Sequence, residues 1–145
     1  MEASFTAAVK EQLGRASLSH RADALAEAYG MLLFATSFGA EGIRHIAEQP
    51  ALIRRLPTLY ERVLSVTPEV RSHPGGKTII SVTRRADLER ICAAFGLDMH
   101  RLSPLGVNRA VLEEESNRAA FLRGAFFAGG SVAPPDRRYH LELVT

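Results

Sequence analysis

Two segments of the chain place small residues at every fourth position of a helical pattern, and this feature constrains the fold more than any other. The small residues are Ala22, Ala26 and Gly30 in the first segment and Ala120, Gly124 and Ala128 in the second. Residues four apart lie on one face of an α-helix, and small side chains there let a second backbone approach closely. The spacing therefore predicts that the two helices pack against each other along these residues.

Each of these helical segments is followed by two short extended segments around a polar turn. The turns span residues 39–42 and 134–137. A helix followed by a hairpin, occurring twice, indicates an internal repeat. The predicted fold is therefore α+β, with a short amphipathic helix ahead of the first copy.

Periodicity between the two copies predicts further elements. A helix should begin at Pro50, with Pro57 marking a kink or a break, and a hairpin should span 69–83 around HPGGK. A helix over 85–95 should follow, and 97–106 has no periodic pattern and is interpreted as a linker. The helix capped by Asn108 either runs continuously into the second motif or breaks near residues 116–117.

The segments SFTAAVKEQL, AEAYGMLLFATSF, FLRGAFFAGGSV and YHLELV, in this order, resemble the amino-terminal domain of the WhiA family of bacterial regulators. That domain is similar in fold to LAGLIDADG homing endonucleases. The resemblance implies one full α-β-β-α-β-β-α repeat plus the first helix and hairpin of a second. It places the amino-terminal region, the first repeat and the linker in 1–106, and a partial second repeat in 107–145. Family members continue into a carboxy-terminal helix-turn-helix domain, which we expect to be absent from this chain.

Composition fits one globular domain of 145 residues, with 46% hydrophobic and 23% charged residues. The single cysteine, Cys92, excludes an internal disulfide and indicates a reducing compartment. Apolar stretches are much shorter than the ~20 residues of a membrane helix, so we expect a cytoplasmic protein without membrane contact. The net charge of +2 is only a slight indication of nucleic-acid binding.

The resemblance also implies where a nuclease would carry its metal-binding carboxylates, at the carboxy-terminal ends of the two packed helices. Ala35 and Gly129 occupy those motif positions, and neither can bind a metal. The nearby acids Glu27, Glu41 and Asp136 are interpreted as solvated or capping residues. We therefore predict no catalytic site.

Other residues with reactive or ligating side chains also favour structural roles. The five histidines lack a ligand spacing, and the acids at 113–115 favour a solvated helix face. Cys92 lies on the apolar side of its helix, which is typical of a small buried thiol. We predict no metal site and no cofactor.

The sheet is the remaining candidate for function, because the concave strand faces of the nuclease fold lie in the DNA major groove. The candidate DNA-binding residues are Arg44, His45, Arg71, His73, Lys77, Arg84, Arg137, Arg138 and His140. The alternative is that they are ordinary surface charges that keep edge strands from pairing.

The resemblance implies a catalytically inactive domain of a DNA-binding transcription regulator of sporulation or cell division, associated with the nucleoid when bound to DNA. Duplex DNA should bind weakly without the helix-turn-helix domain. The alternative function is a module for contact with a regulator protein or for homodimerisation through the partial repeat.

Overall fold

The structure, a computed structural model, describes residues 5–98, 108–132 and 140–144. The helices are α1 Phe5–Leu13, α2 Arg21–Leu33, α3 Pro50–Leu64, α4 Arg85–Phe95 and α5 Glu115–Gly129. The strands are β1 Ser37–Gly39, β2 Gly42–Ala47, β3 Glu69–Ser72, β4 Thr78–Val82, β5 Gly130–Val132 and β6 Leu141–Leu143. The order from α2 to α4 is the α-β-β-α-β-β-α repeat, and α5, β5 and β6 repeat its beginning. The predicted domain boundary after residue 106 and the turn at 134–137 lie outside the described residues.

The strands form two antiparallel sheets. The first has the order β1-β2-β4-β3, and the second contains β5 and β6. Side chains alternate along β2 and β4, so Ile43 and Ile80 are buried under the helices while Arg44 and Ser81 lie on the opposite face. The four-stranded sheet therefore has one covered face and one outer face.

Helices α2 and α5 pack closely where the two glycines meet. A Cβ atom built on Gly124 would overlap the carbonyl oxygen of Glu27 and lie 2.8 Å from its carbonyl carbon. A Cβ atom on Gly30 would lie 2.8 Å from the backbone nitrogen of Ala125. Each glycine thus admits the backbone of the other helix.

The small residues beside these glycines differ in their burial. Ala26 and Ala120 are buried, and Ala128 is half-buried. Ala22 is exposed in the first turn of α2, so its predicted place in the helix interface is wrong. Residues four apart drift by about 40° around a helix, so Ala22 is rotated about 80° from Gly30 and faces away from α5.

Helix α3 continues through Pro57 without a break. Its apolar side, which includes Leu56, Leu59 and Tyr60, is fully buried in the core, and this packing offsets the helical hydrogen bond that proline removes. Helix α4 ends at Gly96, which adopts a left-handed conformation with φ of 66°.

The segment before α5 is divided into two helical pieces. Asn108 caps a short 3-10 helix, Arg109–Leu112, by accepting a hydrogen bond from the backbone nitrogen of Ala110 at 3.0 Å. Helix α5 then begins at Glu115, where Glu114 and Asn117 form a reciprocal capping box. The break therefore lies just before α5.

Candidate nucleic-acid interface

The outer face of the four-stranded sheet holds a shallow pocket of about 390 Å³. Strand pairing places Arg44 opposite Ser81 and Arg71 opposite Ile79, so side chains from β2, β4 and β3 form adjacent rows. The residues that line the pocket are Arg44, Glu69, Arg71, His73, Ile79, Ser81 and Thr83. Three of the predicted DNA-binding residues are thus brought together by the sheet register.

Positive charge exceeds negative charge on this outer face. Arg71 forms an exposed ion pair with Glu69, with Nε donating to a carboxylate oxygen at 2.7 Å. Such surface pairs contribute only ~0–1 kcal/mol, so the guanidinium remains free to exchange partners. Within the described part of the chain, the side chains of Arg44 and Lys77 have no ion pair. A phosphate group would therefore meet available cationic donors.

His45 does not belong to this surface, and its predicted DNA-binding role is wrong. Only 3% of His45 is exposed, and its Nε2 lies 3.0 Å from the hydroxyl of buried Tyr60. Burial lowers the pKa of His45 to about 4, so the ring is neutral near pH 7. The period of two along β2 contained this signal, because Arg44 and His45 must face opposite sides of the sheet.

The remaining candidates are separate from the pocket. Arg84 is exposed at the residue before α4, and Lys77 is exposed in the turn between β3 and β4. His140 is exposed beside the second sheet, with its Nε2 3.5 Å from a carboxylate oxygen of Glu142. Arg137 and Arg138 lie outside the described residues.

A buried charge cluster was missed by the sequence interpretation. Glu27 is fully buried rather than solvated, and its carboxylate accepts hydrogen bonds from Arg55 at 2.5 and 2.9 Å and from Arg123 at 2.5 Å. Arg55 also donates to the carbonyl oxygens of Gly14 and Ala16. The cluster joins α2, α3, α5 and the segment after α1. Glu41 is exposed, as expected, and Asp136 lies outside the described residues.

The two positions that the resemblance assigns to metal-binding carboxylates are held by Ala35 and Gly129. A Cβ atom on Gly129 would overlap the carbonyl oxygen of Val144, whose backbone nitrogen donates to the Gly129 carbonyl at 2.8 Å. Ala35 lies just beyond α2 and packs partly buried against the core. In the described part of the chain, no group of three His, Cys, Asp or Glu residues is placed to hold a metal ion.

Cys92 is buried, and burial raises the pKa of its thiol. No helix within residues 5–98, 108–132 and 140–144 combines the length and apolarity needed to cross a bilayer.

An apolar groove of about 560 Å³ lies between α1, α5 and the second sheet. Its apolar lining residues are Phe5, Val9, Leu13, Ala119, Leu122, Phe126, Val132, Leu141 and Leu143. Leu122 is 55% exposed and Leu141 is 65% exposed. Leucine side chains are usually buried, so two largely exposed leucines on one continuous apolar surface are unusual.

Comparison with known proteins agrees with this architecture. The family model described as "WhiA LAGLIDADG-like domain" matches residues 118–145. Relatives in Ruminiclostridium cellulolyticum and Desulforamulus reducens, each named "Probable cell division protein WhiA", are 28% identical. The alignments cover 98% of this chain and 49% and 48% of those proteins. The chain thus spans about half the length of the curated relatives it matches.

Two solved structures share the fold. Full-length DUF199/WhiA from Thermatoga maritima superposes with a TM-score of 0.68 at 21% identity, over 97% of this chain and 44% of that one. The N-terminal LAGLIDADG domain of DUF199/WhiA superposes with a TM-score of 0.67 at 20% identity, over 99% and 67% of the two chains. The resemblance to the WhiA amino-terminal domain and the predicted α+β fold are confirmed.

Proposed function

We propose that the chain is a catalytically inactive LAGLIDADG-like domain of a WhiA-type transcription regulator of sporulation or cell division, and that it binds duplex DNA through the outer face of its four-stranded sheet. The observation that supports this proposal is the pocket formed by Arg44, Arg71 and His73 on that face. Arginine is suited to phosphate because its planar guanidinium donates two parallel hydrogen bonds.

The two arginines of the pocket lie on strands that are not neighbours in the sheet. Arg44 on β2 and Arg71 on β3 are separated by the intervening strand β4. Neighbouring strands lie about 4.8 Å apart, so the two backbones are about 10 Å apart. A β-ribbon of this width can enter the DNA major groove, which is ~12 Å wide. We expect phosphate contacts to dominate, because exposed arginines and a lysine give charge without a fixed base-reading geometry.

Binding without cleavage is the expected activity. Hydrolysis in this fold needs carboxylates that hold divalent metals at the ends of the paired helices. Ala35 has no ligating atom, and at Gly129 the space for a side chain is taken by the backbone of Val144. We therefore expect no nicking of supercoiled DNA in the presence of Mg²⁺.

The test is fluorescence anisotropy with a labelled duplex at ~50 and ~200 mM salt. Three phosphate contacts would weaken binding about 40-fold over this range, and loss of two contacts would reduce the dependence to about fourfold. The double variant Arg44→Gln with Arg71→Gln should show the smaller dependence. Arg85→Gln is the matched control, because Arg85 is an exposed arginine on α4 paired with Glu89.

The proposal would be abandoned if the wild-type chain bound no duplex at ~50 mM salt. It would also fail if the double variant kept the affinity and salt dependence of the wild type. Nicking that requires Mg²⁺ would contradict catalytic inactivity alone.

The apolar groove supports a second candidate function, protein contact or homodimerisation. Leu122 and Leu141 are largely exposed along this one groove, and such apolar surface is unfavourable in water. Light scattering at increasing concentration should show association, and Leu122→Glu should reduce it. Val70→Glu is a control on an exposed apolar residue of the other sheet. A strictly monomeric chain at high concentration would contradict homodimerisation.

A further inference from the structure

We propose that a polar pocket on α3 binds the polyphosphate group of a small molecule, with Arg54 and Arg62 as its main ligands. The pocket has a volume of about 290 Å³ and lies between α3 and the segment that connects α1 to α2. Its polar side chains are those of Arg54, Arg55, Thr58 and Arg62. We call it the α3 pocket.

Helix geometry places the arginines on one side of the pocket. Arg54, Thr58 and Arg62 are four residues apart, so they share one face of α3 and span about 12 Å along its axis. Thr58 already donates its hydroxyl proton to the carbonyl oxygen of Arg54, which leaves the two guanidinium groups as the main donors. Two cationic groups at the two ends of a short pocket match an anion with more than one phosphate.

Both guanidinium groups are available to a ligand. Among the described residues, the side chain of Arg62 has no hydrogen-bond or ion-pair partner. Arg54 pairs with Glu11 at 2.8 Å, but both side chains are about half exposed or more. An exposed pair of this kind is weak and can open for a more highly charged anion.

The charges around the pocket favour an anion. Arg55 forms its floor, and the buried carboxylate of Glu27 is shared between Arg55 and Arg123. Two guanidinium groups against one carboxylate leave a single positive charge beneath the pocket. Arg21 adds a further cation, because its Nη1 donates to the carbonyl oxygen of Arg62 at 3.3 Å. Glu11 carries the negative charge that opposes these cations, and it contacts Arg54 from the exposed side of the pocket.

The α3 pocket is independent of the proposed DNA surface. The opposite side of α3 packs into the core against the covered face of the sheet. A duplex on the outer sheet face would therefore leave the pocket open. Its small volume suits a diphosphate or triphosphate group rather than a polymer that tracks along a surface.

The test is isothermal titration calorimetry of the full chain with inorganic pyrophosphate at ~50 mM salt. We expect saturable binding with one site. Arg62→Gln should weaken it at least tenfold, because the unpartnered guanidinium is lost. Arg85→Gln should bind like the wild type, and circular dichroism should show that both variants are folded.

Further titrations identify the source of the phosphates. Tighter binding of ADP than of pyrophosphate would identify a nucleotide, whereas equal binding would identify inorganic polyphosphate as the ligand class. Absence of binding at millimolar pyrophosphate, or equal affinity of the wild type and Arg62→Gln, would overturn the proposal. DNA binding measured on Arg62→Gln should be unchanged, so failure of one site does not affect the conclusion about the other.

Discussion

Substitution of Gly124 by alanine tests the closest contact in the fold with a single methyl group. In an isolated helix this change would be favourable by about 1 kcal/mol, because alanine has the higher helix propensity. In this chain the added Cβ atom would overlap the carbonyl oxygen of Glu27 and lie 3.1 Å from the backbone nitrogen of Met31. Helix propensity and packing therefore predict opposite signs.

The magnitude follows from which atoms must move. The obstructing atoms belong to the backbone of α2 and cannot rotate away as a side chain would. The helices must separate, and separation loosens the buried contacts of Ala26 and Ala120. Overpacking of a core costs about 1–3 kcal/mol, and a rigid backbone obstacle favours the upper end. After the gain in propensity, we expect the free energy of unfolding to fall by about 2 kcal/mol.

Thermal unfolding followed by circular dichroism measures this loss. At this chain length, 1 kcal/mol corresponds to about 2–4 °C, so the melting temperature should fall by about 4–8 °C. Gly39→Ala is the control, because a Cβ atom on Gly39 has no neighbour within 4 Å. A Gly124→Ala variant that melts at or above the wild-type temperature would show that α2 and α5 do not meet at this residue.

Two further predictions concern buried polar groups. Glu27→Gln leaves Arg55 and Arg123 without a carboxylate, so urea denaturation should show a loss of about 3 kcal/mol; an exposed control, Glu48→Gln, should change little, and equal stability of the two variants would contradict the role of the cluster. His45 has an ordinary pKa of 6.5 when unfolded and of about 4 in the fold, so the unfolded state takes up the proton first as pH falls. The contribution of neutral His45 to the free energy of unfolding is therefore complete above pH 6.5 and is lost as the pH falls towards 4. At pH 5 the free energy of unfolding should be lower by about 2 kcal/mol. In His45→Gln this part of the pH dependence should be absent, and an unchanged profile would refute the assignment.

Local patterns in the sequence predicted the helices and strands well. They did not predict the electrostatic environment of individual side chains. The apolar stripe of α4 and the glycine after it gave the bounds 85–95 that the structure has. The environment of Glu27 was not predictable in this way, because its arginine partners are 28 and 96 residues away along the chain. A carboxylate between alanines on a helix has no local signal that distinguishes a buried ion pair from a solvated surface.

The two copies of the repeat also differ in the space that their helix ends leave for an acidic side chain. The reciprocal contact of Gly30 and Gly124 makes Ala35 and Gly129 equivalent positions, each five residues further along. Ala35 is partly buried beyond the end of α2, whereas the space beside Gly129 is occupied by the backbone of Val144. An aspartate at Gly129 would have to displace β6, which Val144 anchors by donating to the Gly129 carbonyl. A pair of metal-binding acids at positions 35 and 129 would therefore require the second hairpin to move.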